Sequence, residues 1–423
     1  MKEQTSMKIT LELFKDSFEA NAQLFLGNTD EREISFILNN ELDIVSVYDA
    51  ENRSIPYTKT GELIPAFRAL SQKILIKNDE PLSEIYINYR GSVRFDEEKR
   101  QNWHNAVTED FVSLNWYSVW FPQDISVEID CDKVFVKNGH EWTVVKAEYD
   151  EISDVWVYGN KGFDPFNIVA YAKAKLRIIE NPVMNVFFMD ESIEKSAQNC
   201  ADTYNEIIKY YNNILFERKD IPKLDVVCAY PYITTGGAYR RKDLMWCVSP
   251  GNDSHSQAHL FAHETAHIWC CGADCSSWED WLNETTAEWS ALLFALYKKD
   301  DALFEKIIKP AVDSAPNLPP IKPADGSRPE GVHEKGTALF YRIYKKSGYE
   351  TMVKIVKCFS CLKNKNTEEF IDALRGLGLE CAADMLYEEI YKQFLKRGNK
   401  LRCRLTIKRN TRNSICRRRN LLL

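Results

Sequence analysis

Two histidines four residues apart, with a glutamate beside the first and another seventeen positions after the second, are residues that could hold and use a metal ion. They are His263 and His267 within His263-Glu264-Thr265-Ala266-His267, followed by Glu284 in Trp281-Leu282-Asn283-Glu284. On a helix, side chains at i and i+4 differ by only about 40° in azimuth, so both imidazoles leave one face. A carboxylate from a second helix can complete a three-ligand zinc site whose fourth position stays open to water. Glu264 is rotated about 100° from His263, beside the metal rather than on it, where a general base belongs. The pattern predicts a zinc hydrolase with one Zn2+, held by His263, His267 and Glu284. Glu288 lies four residues after Glu284 on the same face, within reach of the free nitrogen of a ligand histidine, whose tautomer and orientation it would set. His255 and His259 precede the ligands on the same stripe and read as packed or hydrogen-bonded residues. Two histidines and one glutamate already fill a catalytic zinc site.

These residues need two helices to place them. Ser254-His255-Ser256-Gln257 fits a capping box ahead of the first, and Gly272 can close it. Ser276, with Glu279 three residues on, opens the second. Upstream, about 7–180 reads as an all-β region, sandwich-like or saddle-like. Short, roughly alternating runs at 34–38, 74–76, 85–89, 127–129 and 134–136 are separated by Asn, Asp, Gly and Pro. The period becomes helical over 191–216, then strands are expected at 225–230 and 244–248. Residues 316–331 hold five prolines and two glycines, a long loop that could rim a cleft. Helices are expected at 334–345, 348–361 and 367–395.

Composition narrows the partners. The net charge is −7, but residues 396–423 carry eleven Lys or Arg and no acid. The preceding 395 residues therefore hold 44 basic and 62 acidic side chains, a balance of −18. An acidic body argues against nucleic acid as the main partner. The basic end reads as a solvated, disordered tail. No run approaches the ~20 apolar residues needed to span a bilayer, and no secretory signal is visible, so the expected location is cytoplasmic. The twelve cysteines then read as reduced thiols, and Cys358-Phe359-Ser360-Cys361 as a packed thiol pair rather than a second metal site.

The chain resembles the aminopeptidase N-type zinc peptidases of the gluzincin group. The resemblance is carried by His263-Glu264-Thr265-Ala266-His267-Ile268-Trp269, by Trp281-Leu282-Asn283-Glu284 with Ala287, and by Glu334-Lys335-Gly336. It implies an α+β protein: an N-terminal β-saddle domain over 1–185, a thermolysin-like, mainly helical catalytic domain over 186–395, and the tail 396–423. It also implies a peptide or protein substrate. The large C-terminal helical domain common in the family has no room here.

Three departures are visible. Sixteen residues separate His267 from Glu284, where the family usually has eighteen. His333 stands where the family has a tyrosine expected to hydrogen-bond the oxyanion, and a histidine ring nitrogen could donate in its place. Where the family carries Gly-x-Met-Glu-Asn, which grips a free amino terminus, this chain has Gly236-Gly237-Ala238-Tyr239 and then Arg240-Arg241. Glycines there suit close backbone approach, and an edge strand could pair with an extended peptide. The implied activity is peptide-bond hydrolysis, aminopeptidase-like. The runner-up is a zinc-containing peptide-binding or scaffold protein that has drifted from catalysis. Endo-type cleavage without recognition of the free amino terminus is the other alternative.

Overall fold

The computed structural model describes residues 6–26, 32–66, 69–123, 130–137, 139–159 and 167–392. The strand expected at 127–129 and the basic tail 396–423 lie outside them. The chain divides into two compact units. The first runs to Gln198 and takes in Lys223–Pro250; the second comprises Asn199–Pro222 and the chain from Gly251 on.

The first unit is built of sheets. A seven-stranded sheet has the order 148–150, 155–159, 130–136, 6–13, 18–25, 84–91, 42–49; its pairs are antiparallel except 6–13 with 130–136. Alternation explains it: Met7, Ile9, Leu11 and Leu13 are buried while the residues between them are partly exposed. Ile85, Ile87 and Tyr89 repeat the pattern, so one face packs on the core and the other meets water. A three-stranded and a four-stranded sheet accompany it.

The fourth sheet of this unit is different in kind. Met184–Phe188, Leu224–Cys228 and Leu244–Cys247 run parallel, flanked by antiparallel edge strands Arg177–Glu180 and Tyr239–Arg241. Leu224–Cys228 and Leu244–Cys247 are buried at every position, as a strand covered on both faces requires, and the one charge among them, Asp225, pairs with Lys146 at 2.7 Å.

The second unit is helical: α1 (Glu194–Tyr210, from Asn199 onward), α2 (Ser254–Ala266), α3 (Trp281–Lys298), α4 (Asp301–Ser314), α5 (Val332–Cys361), α6 (Thr367–Gly376) and α7 (Glu380–Tyr387). Helix α3 is its axis. It is apolar nearly all round, with fourteen residues buried, as a helix packed on several sides must be. Helices α2, α4 and α5 all pack on it. Its two tryptophans spend their N–H groups inside: Trp281 Nε1 donates to Thr367 Oγ1 at 2.8 Å and Trp289 Nε1 to the Thr337 carbonyl at 3.1 Å.

Several ends differ from the sequence reading. Asp253, not Ser254, caps α2, accepting from the Ser256 amide at 2.9 Å. Ser277, not Ser276, caps the 3-10 turn Trp278–Asp280 that leads into α3. Helix α2 stops at Ala266, well short of Gly272. Helix α4 was not anticipated. The helices expected at 334–345 and 348–361 appear as α5, broken where Gly348 takes φ 76° and ψ −178°, a conformation open to glycine. Of the Cys358–Cys361 pair only Cys358 is buried; Cys361 is exposed. Among the described residues no helix is long and apolar enough to cross a membrane.

Gly336 permits the closest approach within this unit. A Cβ there would overlap Thr285 Oγ1 on α3 and lie 3.0 Å from Thr285 Cβ and 3.3 Å from the Trp281 ring. Gly336→Ala is therefore expected to push α5 off α3 and destabilise the protein by about 1–3 kcal/mol. Thermal unfolding would show it; an unchanged midpoint would mean that the two helices do not meet this closely.

Candidate metal centre

Helix α2 delivers the first two residues of the site. His263 occupies its last turn and His267 its C-cap, still in right-handed helical geometry (φ −59°, ψ −14°). The end of α2 is braced within the same unit. Tyr211 donates its hydroxyl to the Ala262 carbonyl at 2.7 Å, and just beyond the helix Trp269 Nε1 reaches the Glu217 carbonyl at 2.8 Å. Glu284 comes from the first turn of α3. Asn283 fastens that turn to the preceding loop, exchanging hydrogen bonds with the Ala273 backbone at 3.0 and 3.1 Å. The connection between His267 and Glu284 is thus tied directly to the start of α3.

His263, His267 and Glu284 each offer a ligand atom, and the three atoms lie within 4.8 Å of one another. The Nε2 atoms of His263 and His267 are 3.3 Å apart, and His263 Nε2 is 3.5 Å from Glu284 Oε2. Two atoms each about 2.0–2.2 Å from a tetrahedral zinc are separated by about 3.3–3.5 Å, so the donor set fits that ion. The outer nitrogens agree. His263 Nδ1 donates to Glu288 Oε2 at 2.7 Å, and His267 Nδ1 to the Cys270 carbonyl at 3.1 Å. With both Nδ1 atoms so engaged, it is the Nε2 atoms that converge, and a zinc ion replacing the proton between them would take a lone pair from each.

Glu288 serves more than one ring. It is buried, 3% exposed, and besides His263 it accepts from His259 Nε2 at 3.0 and 3.1 Å and lies 3.5 Å from His333 Nε2. His333 stands in the first turn of α5, its ring centroid 5.2 Å from that of His263. His255 pairs with Asp300 at 3.1 Å, away from this group. Glu264 is buried, 7% exposed, and among the described residues no hydrogen bond or ion pair engages its carboxylate.

Charge follows from this packing. Burial works against protonation of His263, but hydrogen bonds to Glu284 and Glu288 outweigh it and hold the imidazole well above the ordinary histidine value of 6.5. Burial opposes ionisation of Glu284 and Glu288 too, yet the surrounding histidines keep both carboxyls well below the usual range. A metal entering here must therefore displace a proton from His263 and none from Glu284. Because that proton is held more tightly than on free imidazole, zinc affinity is expected to keep rising with pH above 6.5. Chelator competition at pH 6.5, 7.5 and 8.5 checks this; a plateau already reached at 7 would contradict it.

The residues Gly236, Gly237, Ala238 and Tyr239 belong to the first unit, whereas the metal-binding candidates belong to the second. Tyr239–Arg241 is an edge strand of the five-stranded sheet. Tyr239 stacks on Trp246 at 5.8 Å and 2° between planes. Arg240 donates from Nε to the Lys242 carbonyl, and Arg241 to the Tyr117 hydroxyl, each at 2.9 Å. Two further features of the second unit were not specified by sequence reasoning. One is the partner of His259, which was read only as packed or hydrogen-bonded and is bonded to Glu288. The other is Arg328, from the Pro-rich loop, which donates from Nε to Asp280 Oδ2 at 2.7 Å.

No protein-family model matches the chain, and no curated protein matches it in sequence. Solved structures do. A mutant of the M1 zinc metallopeptidase of Deinococcus radiodurans, bound to a Tyr-Ser-Ala substrate, is similar at TM-score 0.61 and 12% identity, over 92% of this chain and 93% of that one. The same enzyme without the mutation gives TM-score 0.58 at 11% identity, with the same coverage of both chains. Native leukotriene A4 hydrolase of Saccharomyces cerevisiae gives TM-score 0.59 at 14% identity, over 92% of this chain and 67% of that one. At these identities the likeness is one of fold: an α+β chain with an N-terminal β-sheet part and a helical C-terminal part, as in the M1 zinc metallopeptidases.

Proposed function

We propose that the protein is a zinc-dependent metallopeptidase, aminopeptidase-like, that hydrolyses peptide bonds in the cytoplasm through its 186–395 domain. The observation that carries this reading is the convergence of His263, His267 and Glu284 at zinc-ligand spacing beside a buried, unpaired Glu264. The fold shared with enzymes one of which binds a tripeptide substrate supports a peptide as the molecule acted on.

A zinc ion held by His263, His267 and Glu284 would polarise the scissile carbonyl and acidify water. Glu264 accepts the proton of the attacking water and passes it to the leaving amine, the one carboxylate here free to do so. Glu288 holds His263 in its Nδ1–H tautomer. His333 donates a hydrogen bond to the oxyanion, in place of the family tyrosine. Burial lowers its pKa, but Glu288 outweighs this and raises it, which favours the form with two N–H donors.

The test compares hydrolysis of a mixed peptide pool with free amino termini and of its N-acetylated twin, with Glu264→Gln as baseline. Stepwise loss of single residues from the free pool alone is the expected result. Equal cleavage of both pools would make the enzyme an endo-type peptidase. No cleavage of either above the Glu264→Gln baseline would favour a zinc-containing binding protein.

A further inference from the structure

The Pro-rich loop carries a guanidinium whose placement the proposed hydrolysis does not use. Arg328 donates through Nε to Asp280 Oδ2, and the other oxygen of Asp280 is taken by Asn283 Nδ2 at 2.9 Å. An arginine that exists only to neutralise a carboxylate commonly meets it with two parallel N–H bonds. Here the contact is made side-on through Nε alone. Among the described residues the two terminal nitrogens of Arg328 have no hydrogen-bond partner, and the side chain is one-third exposed. The end-on fork of the two terminal nitrogens, which can meet a carboxylate with two parallel bonds, is left available.

Its location is specific. Asp280 immediately precedes α3 in helical geometry, four residues before Glu284, so the two share a face with Cβ atoms about 5–6 Å apart. Arg328 is thereby held about one helical turn from a candidate zinc ligand, near enough to feel its charge. The loop is held at several points. Ser327 bridges Ser277, and the Trp278 amide donates to the Gly326 carbonyl at 3.3 Å. Lys322 lies 4.6 Å from the ring centroids of both Trp278 and Tyr391. A cation fixed in this way loses little conformational freedom when it meets an anion.

The geometry points to Arg328 as a binding residue for a carboxylate of the peptide, either its C-terminus or an Asp or Glu side chain. This rests on the peptidase reading for the identity of the ligand as a peptide. It would give the site a charged anchor in a chain that lacks the acidic grip on the amino terminus.

The test reads binding rather than turnover, so that it stands apart from the test of hydrolysis. Zinc-loaded Glu264→Gln protein is titrated by fluorescence anisotropy with three labelled tetrapeptides: one ending in alanine as free acid, its C-terminal amide, and an amide ending in glutamate. The expected result is that one of the two carboxylate probes binds about tenfold or more tighter than the alanine amide. Which one does so identifies the source of the carboxylate. In Glu264→Gln/Arg328→Gln that ratio should fall to near 1. Because Arg328→Gln leaves Asp280 buried and unpaired, the same ratio is also measured with Asp280→Asn added, which removes the charge. Equal binding of all three probes, binding of none, or a ratio that survives both substitutions would overturn the proposal and leave Arg328 as a structural partner of Asp280. Absence of hydrolysis by the wild-type protein would overturn the peptidase reading without altering the binding ratio.

Discussion

Glu264→Gln is expected to leave one zinc bound per chain and to lower kcat for peptide hydrolysis by about 10³-fold or more. Glutamine keeps the shape of the side chain but cannot accept the proton of water, and a positioned acid–base group is worth about 10²–10⁴ in rate. Glu264 is not among the three converging ligand atoms, so removing its charge does not dismantle the donor set. It is also buried and unpaired, so the substitution strands no partner. Metal content by atomic absorption, read beside kcat, separates the two effects. Zinc retained with activity within tenfold of wild type would end the general-base role. Loss of both would place Glu264 in metal binding instead.

Glu288→Ala should be the most damaging substitution outside the ligands. The carboxylate accepts from His263 and His259 and faces His333, and it is almost wholly buried. Deleting it leaves the buried Nδ1–H of His263 without an acceptor, a penalty of about 1–3 kcal/mol, whereas His259, 35% exposed, can turn to water. The deletion also frees His263 to adopt the other tautomer, and loss of such an orienting partner costs about 10–100-fold in metal affinity. We expect about 1–3 kcal/mol of lost stability in the metal-free protein, with zinc affinity about 10–100-fold weaker. Glu288→Gln preserves volume and one accepting oxygen and should fall between. Unfolding midpoints with and without zinc, together with chelator competition, measure both. If alanine weakens zinc binding less than about threefold, Glu288 does not orient His263.

The histidine pair was legible because helical periodicity is local: residues at i and i+4 share a face whatever surrounds them. The same holds for Glu284 and Glu288, whose spacing put both on one side of α3. Strand alternation at 74–76, 85–89 and 134–136 was legible for a similar reason, since a half-buried strand shows its period of two in the sequence, whereas 36–39 is buried at every position and shows none. Helix ends were read less well. Asp253 and Ser254 are both good caps, and nothing local chooses between them. Asp253 also receives Lys306 from α4 at 3.3 Å, a partner fifty-three residues away.

The sequence by itself determined the chemistry available to the site: two imidazoles and a carboxylate able to bind zinc, and a neighbouring glutamate able to move a proton. Those capacities belong to residue types and to spacing along single helices. Which groups stand behind the ligands was decided only when the helices packed. His259, His263 and His333 share one carboxylate because α2 and α5 both lie on α3. The approach of α5 depends on the missing Cβ of Gly336. Arg328 reaches Asp280 across forty-eight residues because the Pro-rich loop folds back on the start of α3. Contacts between distant segments depend on how helices and loops close on one another, and that closure leaves no periodic mark in a single sequence.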